Sequence, residues 1–188
     1  MASDRFQSSI QAIDDFNRQD PRQFELAYAE RLTQWVLRLE PQASEALRLA
    51  ARGQHIGRWR IQRQKYPEGR GGYLRWREDL KKFHAQKAGE ILEAAGYEKD
   101  FVDRVRSLVL KKNLKQDREA QILEDALCLV FLETQFEDLK NRTPDGKMKE
   151  IVRKTWEKMG PLGRQAALGL TLPAPLRKFL EDSLGLGP

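Results

Sequence analysis

The chain has 188 residues, enough for one domain that buries roughly two-thirds of its unfolded surface. Hydrophobic residues make up 40% and charged residues 33%, which excludes a disordered chain; no apolar run approaches the roughly 20 residues of a membrane-spanning helix. The net charge is +6, and residues 58–82 alone carry that excess: nine Arg and Lys (Arg58, Arg60, Arg63, Lys65, Arg70, Arg75, Arg77, Lys81, Lys82) stand against Glu68, Glu78 and Asp79. Positive charge concentrated in one segment points to an anionic partner, or else to arginines that pair with acids elsewhere in the fold.

Periodicity is helical almost throughout, with no alternating strand pattern and no internal repeat. The spacing predicts a first helix over 5–18. Asp20-Pro21 reads as an N-cap and first-turn proline of a second, reaching Glu40. Pro41 opens a third, QASEALRLAARGQ, which ends near Gly53 and leaves His55 at its terminus. Residues 57–72, with four glycines and one proline, are expected to form an ordered connection. A strong helix follows from Tyr73 to Ala95, stopped by Gly96. Asp100 is expected to cap a helix through Leu110, then comes a long one over 117–140. Thr143-Pro144 breaks the chain ahead of a helical tail. The expected architecture is all-α: a compact domain of seven to nine helices with orthogonal crossings, a single domain over 1–188 with its core over about 20–140 and a carboxy-terminal extension over 143–188.

The amino-terminal MASDRFQSSIQAIDDF lacks a basic flank ahead of an apolar core, so no secretory signal is read. The one cysteine, Cys128 in ALCLVFLE, is expected to be a buried thiol, and a cytoplasmic protein follows.

Helical geometry gives the two histidines and one aspartate more meaning. Along 73–95, His84 and Arg77 share a face with Tyr73, Leu80, Ala88 and Ile91, while Glu78, Lys82, Gln86 and Gly89 lie opposite. His84 therefore points inward, as a core histidine bonded to a carbonyl or carboxylate, or as a ligand. QILEDALCLVFLE is apolar nearly all round, and Asp125 interrupts it. A buried carboxylate needs a cation, a metal or several donors; an arginine of the basic stretch or a metal are the candidates.

The letters His55-Ile56-Gly57 match part of the class I aminoacyl-tRNA synthetase signature, but Arg58 replaces its second histidine and no parallel sheet is read, so the match is rejected. LAARGQHIGRW, FHAQKAGEILEAAG and DREAQILEDALCLVF, in that order over about 25–135, resemble HD-domain proteins, helical metal-dependent phosphohydrolases. The dyad's aspartate is Ile56 here. Where an upstream histidine would stand there are Glu25, Tyr28 and Glu30, and Lys111-Lys112 occupies a further histidine's place. The resemblance thus implies one divalent metal ion on His55, His84 and Asp125, able to generate a hydroxide nucleophile, not a two-metal centre. YPEGRGGYLRWR, FHAQKAGEIL, QILEDALCLVFLE and KTWEKMGPLGRQAAL also resemble the family catalogued as domain of unknown function 4202, which implies that family's fold and no activity.

Three functions are expected in turn. The first is an HD-like hydrolase of a phosphorylated small molecule or nucleotide, with His55, His84 and Asp125 as catalytic and metal residues and Arg58, Arg60, Arg63, Arg70 and Arg77 on phosphate. The second is a silent nucleotide or RNA-phosphate binding module that uses the same arginines, with Trp59, Tyr66, Tyr73 and Trp76 stacking on bases. The third is a structural partner-binding domain, with LGLTLPAPLRKFLEDSLGLG as a docking helix. No membrane partner is expected in any of them.

Overall fold

A computed structural model describes residues 2–114 and 116–186, with side chains from residue 4 onward. Among the described residues there are ten α-helices and no strand. They fall into two compact units, Met1–Ala120 and Gln121–Pro188. That boundary lies in the first turn of a long helix, well ahead of the break expected at Thr143-Pro144. None of the helices is long and apolar enough to cross a membrane.

In the first unit α1 (Ala2–Asn17), α2 (Phe24–Leu39), α3 (Glu45–Gly53), α4 (Gly69–Ala94) and α5 (Lys99–Val109) pack around α3, which touches all four of the others. The apolar stripe of α2 is Tyr28, Ala29, Leu32, Trp35 and Val36. That of α5 is Val102, Val105, Leu108 and Val109. Both follow the three-and-four spacing that lays side chains along one helical face. Between them α3 inserts Leu47, Leu49 and Ala50, all fully buried. Arg52 of α3 forks onto Asp14 of α1 at 2.6 and 2.7 Å, a two-pronged ion pair with both side chains nearly covered.

Side-chain oxygens cap the starts of α2 and α3, though not at the residues expected. Ser44 accepts the amide of Leu47 and starts α3 at Glu45, later than the start expected at Pro41. Asp20 also caps, but from farther back: its carboxylate accepts the amides of Arg22, Phe24 and Glu25. Pro21 therefore lies before α2 and not within it. The connection after α3 is ordered, as expected, by two 3-10 turns at Arg58–Arg60 and Arg63–Lys65. Asp100 lies inside the first turn of α5, whose N-cap position is Glu98.

The second unit holds most of α6 (Arg118–Thr134), then α7 (Phe136–Asn141), α8 (Asp145–Lys158), α9 (Pro161–Leu168) and α10 (Ala174–Leu184). The helix expected over 117–140 is two, because the backbone leaves helical geometry at Gln135 and drops Phe136 into a fully buried position. Phe136 meets Phe131 and Phe179 at ring distances of 6.4 and 6.3 Å, while Met148, Val152, Leu176 and Leu180 complete the packing of α8 and α10. Cys128 is buried and unbridged, as expected.

Candidate functional site

The site grows from the turn after α3. Gly57 takes a left-handed conformation, with φ 66° and ψ 22°, and its amide donates to Asn17 Oδ1 at 3.2 Å. A methyl group there would lie 2.7 Å from ring carbons of both Phe16 and Phe83, so only glycine fits the gap between them. Immediately before it, Ile56 is fully buried and its carbonyl faces Nδ1 of His84 at 2.7 Å. That contact assigns the proton to Nδ1, which donates to the carbonyl, and leaves Nε2 as the acceptor nitrogen. Burial, and secondarily Arg58, pushes His84 down to about 4 against the bond to Ile56, so its ring is neutral at pH 7. The inward orientation expected for His84 is borne out. On the same helix Leu80 and Ala88 are buried as expected, but Tyr73 is 42% exposed. Gly89 is buried instead of facing water, since the Arg106 guanidinium lies over it.

His55 stacks on Tyr28 of α2, with ring centroids 4.3 Å apart and an interplanar angle of 13°, and stands 5.7 Å from His84. His55 is half-buried, and packing of neighbours around it is the largest cause lowering its pKa and keeping it neutral; the charges of Arg58, His84, Lys111 and Arg77 act in the same direction. Neither ring nitrogen has a hydrogen bond among the described residues.

Of the arginines expected on phosphate, Arg58 lies closest in. Its half-buried guanidinium sits 4.9 Å from the centroid of the Trp76 ring and makes no ion pair among the described residues. Arg77 reaches the Tyr73 hydroxyl at 3.4 Å, and its charge bears on both Arg58 and His55. Arg60 lies over Phe16 and reaches Gln19. Arg63 is fully engaged: it donates to the carbonyls of Tyr66, Pro67 and Gly69 and so holds its own loop together. Arg70 is exposed on the first turn of α4. The aromatic residues of the stretch are mostly structural too. Trp76 donates from its indole nitrogen to the Ile61 carbonyl at 2.8 Å, and the Tyr66 hydroxyl donates to Asp79.

One site residue carries more than the sequence reading gave it. Glu25 is 1% exposed, and neither carboxyl oxygen has a hydrogen-bond partner among the described residues. Burial is the largest cause raising its carboxyl to about 7; Arg58 opposes that rise, Asp20 adds to it and Arg22 opposes it. A signal for this was present, because Glu25 falls on the same stripe of α2 as Tyr28, Ala29 and Leu32.

Asp125 belongs to the second unit and has a different occupation. Its Oδ1 accepts the backbone amide of Gly160, just ahead of α9, and the side-chain amide of Gln121, each at 2.8 Å. Gly163 comes so near that a methyl group would lie 2.6 Å from the carboxyl carbon. The amide at the start of α9 and one glutamine satisfy this buried carboxylate, and it makes no ion pair with an arginine among the described residues. Asp125→Ala strands those donors and is expected to lower stability by about 2 kcal/mol in a urea titration, with Asp125→Asn losing less.

A metal centre needs three side chains converging on one point. Among the described residues no group of three or more His, Cys, Asp and Glu is so arranged.

The arrangement in the first unit is thus two neutral imidazoles and a carboxyl raised by burial, beside guanidinium groups that make no ion pair among the described residues. An all-helical domain with such a cluster is the class the fold and site define. The family described as domain of unknown function (DUF4202) matches residues 7–180, and the chain belongs to it. No curated protein and no solved structure matches the chain.

Proposed function

We propose that the first unit binds a phosphorylated small molecule or nucleotide, its phosphate received by Arg58 and Arg77 beside His55. The observation that carries this reading is Arg58: a half-buried guanidinium in no ion pair among the described residues, whose one influential carboxyl neighbour, Glu25, is itself raised to about 7 by burial, and whose charge is felt at His55 together with those of Arg77 and Lys111. A partly buried cation is stabilised when an anion arrives, and a guanidinium fork offers a phosphate two parallel donors. The unbonded ring nitrogens of His55 supply a neutral donor and acceptor at the same place. Arg63 is left out of the set, since its donors are occupied by its own loop.

An HD-like relationship would add metal-dependent hydrolysis to this binding. The dyad's aspartate is Ile56, whose carbonyl is bonded to His84, and the binding reading does not require the metal. Calorimetric titration with inorganic phosphate and nucleoside monophosphates tests the proposal. Wild type is expected to bind saturably, and Arg58→Ala to lose about ten- to hundredfold in affinity, as deletion of a charge-assisted hydrogen-bond donor does. Unchanged affinity in Arg58→Ala, or no binding by wild type, ends it.

A further inference from the structure

The basic excess of residues 58–82 is only partly absorbed by the inner site. On α4 the side chains Arg70, Tyr73, Leu74, Arg77 and Lys81 follow the spacing i, i+3, i+4, i+7, i+11, which lays them in one stripe about 16 Å long. Tyr73 is 42% and Leu74 52% exposed, large values for an aromatic and an aliphatic side chain on one face. An open cleft of about 490 Å³ beside this stripe is lined by Tyr73, Leu74, Arg75, Arg77, Glu78 and Lys81. The nearby acids are engaged: Glu78 pairs with Lys81 at 3.6 Å and Lys82 at 4.0 Å, and Asp79 accepts the Tyr66 hydroxyl. Arg70, Arg75 and Arg77 make no ion pair among the described residues.

We infer that this stripe is the track of a single-stranded nucleic acid, one phosphate of which enters the Arg58–Arg77 site. The inference rests on the phosphate reading above and names the class of molecule that supplies the phosphate. The guanidinium groups of Arg70 and Arg77 on the stripe, with that of Arg75 also lining the cleft, complement a chain with one charge per nucleotide, whereas a mononucleotide would reach only the inner pair. The exposed Tyr73 ring, already 5.9 Å from the Arg77 guanidinium, gives a base a face to stack on. An acidic amphipathic peptide fits less well, because such a helix anchors through several apolar side chains and the cleft offers it Leu74 alone as an aliphatic contact. A duplex hides its base faces and cannot use Tyr73.

The test uses the full chain and fluorescence anisotropy with single-stranded oligonucleotides about 12 nucleotides long, as RNA and as DNA, against the same-length duplex, a mononucleotide and an acidic peptide. The single strands are expected to bind at least tenfold more tightly than the mononucleotide and the duplex. A preference between RNA and DNA identifies the source. Arg70→Ala/Arg75→Ala is expected to weaken the oligonucleotide about tenfold and to flatten its salt dependence by about 0.7 of a log unit per lost contact, while the mononucleotide affinity stays unchanged. Tyr73→Ala is expected to weaken the oligonucleotide about tenfold at any salt concentration. All three residues are exposed, and circular dichroism verifies that the helices persist. Oligonucleotide binding no tighter than mononucleotide binding overturns the inference, as does an acidic peptide that outcompetes the strand, or full oligonucleotide affinity in the double variant. If mononucleotides fail to bind while oligonucleotides still lose affinity in Arg70→Ala/Arg75→Ala, the inner phosphate site falls and the surface track stands.

Discussion

Glu25→Gln is expected to make the protein more stable at pH 8, by about 3 kcal/mol, and no more stable at pH 4.5. The carboxyl is raised from 4.5 to about 7 because it is buried, 1% exposed, without a hydrogen-bond donor. In the unfolded chain it ionises near 4.5; in the folded chain it holds its proton until about 7. Its contribution is therefore fully present below pH 4.5, is lost as pH rises to about 7, and stays lost above that. The amide cannot ionise, so the variant escapes the loss. Urea midpoints at the two pH values measure the difference. A variant no more stable at pH 8 would mean that the Glu25 carboxylate finds a donor or water in solution.

The same substitution uncovers a second titration. His84 is lowered from 6.5 to about 4, chiefly by burial, so its neutral form is the folded one. That contribution is present above pH 6.5 and is lost as pH falls through 4, again about 3 kcal/mol for a ring 2% exposed. His55 acts in the same direction. Between pH 6.5 and 4.5 wild type thus gains from Glu25 what it loses at His84, which flattens its stability profile. In Glu25→Gln the histidine loss stands alone, and stability is expected to fall continuously from pH 6.5 downward. A buried unpartnered carboxyl kept at such a cost, beside Arg58, fits a group retained for what it does to a bound anion. Above pH 7 its ionised form opposes an anion at Arg58, so phosphate affinity at pH 8 is expected to rise in the variant.

What the sequence reveals of this molecule follows from which forces are periodic. Every long helix is legible, because apolar spacing and breakers such as Gly53, Gly96 and Thr143-Pro144 mark it. The split at Gln135 is not, since no Gly or Pro signals it and burial of Phe136 decides it. The start of α2 is displaced because a carboxylate can cap from outside the first turn, as Asp20 does on Phe24 and Glu25. The site divides in the same way. His84 facing inward and the nearness of His55 and Arg58 follow from helical geometry and sequence adjacency. The partner of Asp125 does not, because a backbone amide ahead of α9 has no letter in the sequence. Arg63 shows the converse: composition counts it as a free cation, and only three-dimensional geometry finds the three carbonyls around it.

Gly57→Ala joins fold and site in one substitution and is expected to lower stability by about 3 kcal/mol. Holding a non-glycine residue at φ 66° costs roughly 1–2 kcal/mol, and forcing a methyl group into a filled space costs about 1–3 kcal/mol more. The space is filled: Phe16 and Phe83 would both lie 2.7 Å from the new carbon, and neither ring can retreat freely, since Phe16 also packs on Trp59 and Phe83 on His84. Relief must come from the turn itself, which carries the Ile56 carbonyl that holds His84 on one side and the backbone of Arg58 on the other. Phosphate affinity is therefore expected to fall together with stability. Gly57→Ala/Phe83→Leu relieves one of the two ring contacts and leaves that with Phe16 and the backbone strain: stability should recover by roughly 1 kcal/mol. Urea titration and phosphate calorimetry on both variants read the outcome. A Gly57→Ala protein as stable as wild type would show that the turn adopts another conformation in solution, and the placement of Arg58 beside His55 would fall with it.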